Sequence, residues 1–216
     1  MKPILLLPLV LALPAFAGTP ARVTAQPSSP CLTSWFAGAS VGWLTELEEP
    51  MYNVHLGVTN SCWIIGGWNV SIFAEVGYTD TDRTYRWEDY DEQQVWYEGE
   101  GKIDLSIVPI TANIKFERAL SGNLNAYFGA GIGAAWVDID MHENYYYPTH
   151  MSSYSGSDSD WVFTAQIFAG LSYSLSPACE IYGGARWIYY SDAKFGGESM
   201  DLDDDWLLEL GARFKF

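Results

Sequence analysis

Residues 69–79 read NVSIFAEVGYT. Val70, Ile72, Ala74, Val76 and Tyr78 alternate there with Asn69, Ser71, Phe73, Glu75, Gly77 and Thr79. A strict period of two is the mark of a β-strand with one apolar face. The same alternation returns in residues 37–43, 52–58, 128–136, 163–173, 181–190 and 208–216. It also runs through 102–116, where Ile103, Leu105 and Ile107 are out of phase with Ile110, Ala112, Ile114 and Phe116. Proline cannot donate to a ladder, so a bulge at Val108-Pro109 is expected to absorb that slip. This makes eight strands, and no segment has a comparable helical period.

The chain has 216 residues, 49% hydrophobic, 16% aromatic and 18% charged. That composition excludes a disordered chain, and the 20 glycines follow no collagen repeat. A net charge of −16 excludes a nucleic-acid partner, because phosphates are gripped by Lys and Arg. Lys2, an apolar run over 4–13 broken by Pro8, and Ala15-Phe16-Ala17 together form a secretory signal peptide over 1–17. The run is shorter than the ~20 residues a spanning helix needs. Residues 18–34, with three prolines, read as a flexible lead-in, and 35–216 as the barrel.

Eight such strands suit a soluble or a membrane barrel, and the faces decide between them. The less apolar face mixes glycine with Tyr, Phe and Arg, as a narrow interior requires. Trp43, Tyr52, Trp68, Tyr78, Trp136, Trp161, Tyr173 and Trp206 stand near strand ends, where membrane girdles lie. Short connections alternate with mostly long ones at 80–101, 138–160 and 192–205, with a shorter one at 44–50, and those four hold 22 of the 27 acidic residues. The expected fold is an all-β, eight-stranded antiparallel up-and-down transmembrane β-barrel with long, acidic outer loops. Alternation around Tyr85 and Trp87 predicts a projecting hairpin turning near 89–93, whereas 141–160 shows no period and reads as a mobile loop.

The terminal LLELGARFKF, ending in Phe216, and the stretches SIVPITANIKF, YFGAGIGAAWVD and IYGGARWIYY resemble the small OmpA/OmpX-like outer-membrane barrels. The resemblance covers about 35–216. It implies the cell outer membrane of a Gram-negative bacterium, contact with outer-membrane lipid and lipopolysaccharide, insertion by the barrel-assembly machinery, and a monomer. It leaves function open, since relatives are structural proteins, narrow pores, adhesins or immune-evasion proteins.

The candidate site is a lumen charge network. Glu75, Asp104, Glu180 and Glu209 are expected to face Lys102, Lys115, Arg186, Arg213 and Lys215, with His55 nearby. Charges in a narrow lumen must pair. A static plug is favoured over a gated conduit, because eight strands enclose just enough room for side chains. No catalytic residue, cofactor or specific metal site is assigned. His142 and His150 lie beside Glu143 and several serines, but a Ser/His/acid site needs hydrogen-bond contact that sequence proximity does not supply. Residues 201–205 (DLDDD) and 157–160 (SDSD) offer oxygen ligands without EF-hand spacing. Cys31, Cys62 and Cys179 fall at the periplasmic end, and a Cys31–Cys62 disulfide is the expected pair. The function so read is structural or surface interaction through acidic, aromatic loops toward an extracellular protein or glycan. The alternatives are a narrow pore for small solutes and a lipid-modifying enzyme at the outer rim.

Overall fold

Gly66 and Gly67 both take positive φ, 59° and 83°, a region glycine enters at little cost. They join Ile65 directly to its partner Trp68, the two-residue hairpin connection whose twist matches antiparallel strands. The first short connection is thus a tight two-residue turn. Gly122, also at positive φ, opens a second two-residue connection, between Ser121 and its partner Leu124.

The computed structural model describes residues 31–90, 96–148, 150–195, 198–200 and 202–216. The signal peptide expected over 1–17, the lead-in up to residue 30, the part of the expected turn at 91–93 and Asp201 lie outside those residues. The strands are β1 (Thr33–Leu44), β2 (Pro50–Ile65), β3 (Trp68–Tyr90), β4 (Trp96–Ser121), β5 (Leu124–Tyr146), β6 (Met151–Ser174), β7 (Cys179–Tyr190), β8 (Ala193–Phe195), β9 (Glu198–Met200) and β10 (Asp205–Lys215). Eight of them close in the order β1-β10-β7-β6-β5-β4-β3-β2, every neighbour antiparallel, while β8 and β9 form a separate short hairpin. The fold is an up-and-down eight-stranded barrel. β1 and β10 close it from Phe36↔Lys215 to Leu44↔Leu207. Cys31 and Cys62 are disulfide-bonded just below β1, and Cys179 is free.

The two faces of the wall carry opposite chemistry. Outward residues are apolar and exposed: Ile132 is 63% exposed and Leu210 71%. The belt continues through Val54, Leu56, Ile72, Ile114, Ile167 and Phe214, bordered by Trp43, Tyr52, Tyr78, Trp161, Tyr173 and Trp206. A water-soluble surface rarely carries an apolar patch larger than a few hundred Å², so this belt faces lipid.

β4 departs from expectation at Pro109. Its ladder to β5 runs unbroken from Glu98↔Tyr146 to Ala119↔Asn125, and its register to β3 is the same on both sides of the proline. There is no slip. Ile107 therefore points inward with Thr111 and Asn113, and all three are buried. The outer mouth is lined by apolar groups, so an apolar residue there belongs inside. Leu44, Met51, Ile107, Val137, Val162, Ile188, Tyr190 and Leu207 pack at that mouth, with Ala193 and Leu202 of the last outer connection folded onto them and Leu105 and Phe195 against them.

Candidate functional site

Inward positions below this apolar cap hold two ionic centres separated by aromatic rings. In the first, the Arg186 guanidinium, 3% exposed, lies between two carboxylates. Its Nη2 donates to Glu209 Oε1 and Oε2 at 3.1 and 3.0 Å and to Glu75 Oε2 at 3.2 Å. Its Nη1 donates to Glu75 Oε1 and, at 3.0 Å, to Gln166 Oε1. Ser40 Oγ donates to Glu209 at 3.1 Å, and Gln166 Nε2 donates to Asn113 Oδ1 at 2.6 Å. In the second, Glu180, 1% exposed, accepts from Arg213 Nη1 at 3.3 Å and from Lys215 Nζ at 3.0 Å. Lys115 stands 3.9 Å from Glu180 and pairs with Glu117, which also accepts from Ser172 Oγ at 2.9 Å. The two centres hold four carboxylates and four cations, so the desolvated charge balances, as a narrow bore requires.

Phe36, Phe73, Tyr127, Phe168 and Tyr182 form the aromatic cluster between them. Arg186 lies over Phe168 at 5.4 Å and Arg213 over Phe36 at 4.6 Å. Inward glycines clear space for the rings: a Cβ on Gly57 would stand 2.5 Å from Phe36 Cζ, and one on Gly129 2.3 Å from Phe168 Cζ. The cavity left among these side chains is about 10 Å³, at the lower limit for one water. Among the described residues, three buried polar atoms without a hydrogen-bond partner, His55 Nδ1, Tyr127 Oη and Arg186 Nε, belong to residues lining it.

The structure brings together Glu75, Arg186 and Glu209 in one centre and Glu180 and Arg213 in the other. It places Asp104 elsewhere. With β4 in phase throughout, Asp104 and Lys102 point away from the bore, Asp104 38% exposed and 2.6 Å from Lys102 Nζ. That hydrogen bond holds the Lys102 ammonium above its usual range. Glu117, not among the charges expected in the lumen, is a network member. Its signal was the alternation itself, which carries the inward face from Asn113 and Lys115 to Glu117.

Above the belt, β3 to β6 continue as a four-stranded sheet, paired out to Tyr90↔Trp96, Glu98↔Tyr146 and Tyr146↔Met151. Residues 141–160 are therefore largely strand, not a loose loop: their ladder is held by main-chain hydrogen bonds while both faces meet water, so no apolar alternation marks them. One face is acidic. Asp82, Asp104 and Asp140 stand directly opposite one another on three neighbouring strands. Like charges so placed repel, and Lys102, also 3.9 Å from Asp82, offsets part of that. The other face is aromatic. Tyr85 and Trp87 stack at 5.2 Å, Trp87 meets Tyr145 edge-on at 5.8 Å, and Tyr97 packs on Tyr145 and Tyr147. The Tyr85 and Tyr145 hydroxyls donate to Glu143 at 3.0 and 2.5 Å. The carboxylate pushes the Tyr145 hydroxyl up to about 12.

His55 is buried in the bore. His142 and Glu143 are strand neighbours and so point to opposite faces. Among the described residues no cluster of three or more His, Cys, Asp or Glu is arranged to hold a metal ion. Asp205, the last of the acidic run, is committed elsewhere: its carboxylate is buried and accepts from Thr45 N, Thr45 Oγ1, Glu46 N and Leu47 N at 2.8–3.1 Å, pinning the first outer connection to β10.

These features define an eight-stranded transmembrane β-barrel with a filled bore. No protein-family model matches the chain, and no curated protein matches it in sequence. Among solved structures, a major outer membrane protein from Thermus thermophilus superposes with a TM-score of 0.50 at 14% identity, over 86% of this chain and 100% of that one. Neisserial surface protein A gives 0.49 at 15% identity, over 87% and 100%. The outer membrane enzyme PagL gives 0.43 at 15% identity, over 82% and 97%. The chain has the fold of the small outer-membrane barrels.

Proposed function

We propose that the protein is a structural, surface-interaction barrel of the Gram-negative outer membrane, not an enzyme and not an open pore. The observation that carries this is the filled bore beneath an ordered outer sheet: two ionic centres whose charges balance only when taken together, an aromatic cluster and an apolar cap fill the interior, while β3 to β6 present acidic and aromatic faces outward. Catalysis at the rim lacks support, because both oxygens of Glu143 accept from tyrosines and His142 lies on the opposite face of the sheet. In this reading the barrel is a monomer, is inserted by the barrel-assembly machinery, sits among outer-membrane lipid and lipopolysaccharide, and offers its sheet to an extracellular protein or glycan. The test combines protease treatment of intact cells with planar-bilayer recording. Cleavage between residues 80 and 160 from outside, with no steady conductance, is expected. Protection of that segment on intact cells, or a large steady current, would overturn the proposal.

A further inference from the structure

We propose that the aromatic face of the outer sheet is a docking site for a basic peptide, with Glu143 as its anionic anchor. This rests on the surface-interaction reading above and names the chemistry of the partner. Four features of one face support it. First, the rings form a built platform. Gly99 and Gly101 lie directly opposite Trp87 and Tyr85, and a Cβ on either glycine would stand 2.1 Å from Trp87 Cε2 or 2.3 Å from Tyr85 Cζ. The two rings thus lie across bare backbone, and they stack on each other. Second, the platform is open to solvent: Tyr85 is exposed, and Trp87, Tyr97 and Tyr145 are half-buried. Third, Glu143 sits at its centre, held by two tyrosine hydroxyls. Among the described residues no Lys, Arg or His forms an ion pair with it. A carboxylate has about four acceptor positions, so two remain. Fourth, the field is predominantly negative. Arg83, the cation of the same strand face, hydrogen-bonds at 3.5 Å to the Leu47 carbonyl, and on the reverse face the two cations, Arg86 and Lys102, are already paired with Glu100, Asp82 and Asp104 and outnumbered by the acids.

Ring faces carry negative quadrupole and attract guanidinium or ammonium within about 6 Å. An uncompensated carboxylate among them supplies the charge-assisted hydrogen bond that fixes the group. A neutral sugar would use the rings but gain nothing from the surrounding charge, and an anionic glycan would be repelled. An arginine- or lysine-bearing peptide uses every element present, and the acidic field steers it in.

The test is calorimetric titration of the full protein, folded in neutral detergent, with three probes: a capped Gly-Arg-Gly-Arg-Gly peptide, its citrulline counterpart, and maltohexaose. Saturable binding of the arginine peptide is expected, with neither of the others binding comparably. Glu143→Gln should weaken it roughly tenfold, the size of one charged hydrogen bond. Trp87→Leu should weaken it by roughly two- to fivefold. Glu98→Gln with Glu100→Gln, on the reverse face, should change it less than Glu143→Gln does. Heat-modifiability on a gel confirms that each variant is folded. Equal binding of the citrulline peptide, preference for maltohexaose, or equal losses from the two glutamate changes would each overturn the assignment. No binding by the parent, with the sheet still cleaved on intact cells, would remove this inference alone. Protection of the sheet would remove the surface reading with it.

Discussion

Replacing Arg186 with Met should be the most damaging single change in the bore. The guanidinium contacts both oxygens of Glu75 and of Glu209. Without it, Glu209 keeps only Ser40 as a donor at 3.1 Å, and Glu75 keeps Gln166 at 3.3 Å with His55 at 3.9 Å. Breaking a buried ion pair by removing one partner costs about 3–5 kcal/mol, because it leaves an uncompensated charge. One cation serves two carboxylates here, so the upper half of that range applies. Changing Glu75 and Glu209 to Gln together with Arg186→Met removes the charge as well as the partner. That triple variant should lie within about 2 kcal/mol of the parent, since replacing a whole buried ionic group is often neutral. The assay is urea unfolding of the lipid-embedded protein, followed by tryptophan fluorescence and by gel mobility without heating. An Arg186→Met protein as stable as the parent, or a triple variant as unstable as the single one, would refute the coupling of these groups.

Asp205→Ala strips the acceptor from three backbone amides and the Thr45 hydroxyl. It should cost about 2–3 kcal/mol and open residues 45–49 to protease, measured by digestion of the refolded protein. Tyr145, raised to about 12 by its hydrogen bond to Glu143, should titrate later than an ordinary tyrosine near about 10. A phenol raised on folding contributes stability that is complete below about pH 10 and is lost as pH climbs through about 12. Ultraviolet titration should show late tyrosine steps, of which Glu143→Gln moves down those of Tyr145 and Tyr85. Arg186→Met should also leave the bore closed to ions in planar bilayers, because the Glu180 centre and the apolar cap remain; a steady current in that variant would show that one centre alone seals the bore.

Inside the lipid layer the strand faces were legible because lipid and lumen impose opposite chemistry on alternate residues. Glu75, Glu180, Arg186, Glu209 and Arg213 could thus be placed by counting in twos. The rule fails where the surroundings change. Above Pro109 the lumen is capped by Leu202, Ala193 and their neighbours, so Ile107 turns inward and Asp104 turns out, with no bulge between them. Higher still, both faces of β5 and β6 meet water, and residues such as Ser153, Ser155 and Asp158 carry no sign of the ladder they form. The aromatic platform was hidden for another reason. Trp87 meets Gly99, and Tyr85 meets Glu143, only through cross-strand register. By contrast, the Cys31–Cys62 pair followed from adjacency alone, since the end of β2 lies beside the start of β1 at Thr33↔Asn60.

The orientation of the wall is tested most directly by nitroxide labels placed one at a time along residues 163–171 of β6 in lipid vesicles, with oxygen as the apolar relaxant. Labels at Phe163, Ala165, Ile167, Ala169 and Leu171 should relax strongly, and those at Thr164, Gln166, Phe168 and Gly170 weakly. Strong relaxation at Gln166 and Phe168 with protection at Ile167 would put the charges on the outside and contradict the barrel described here.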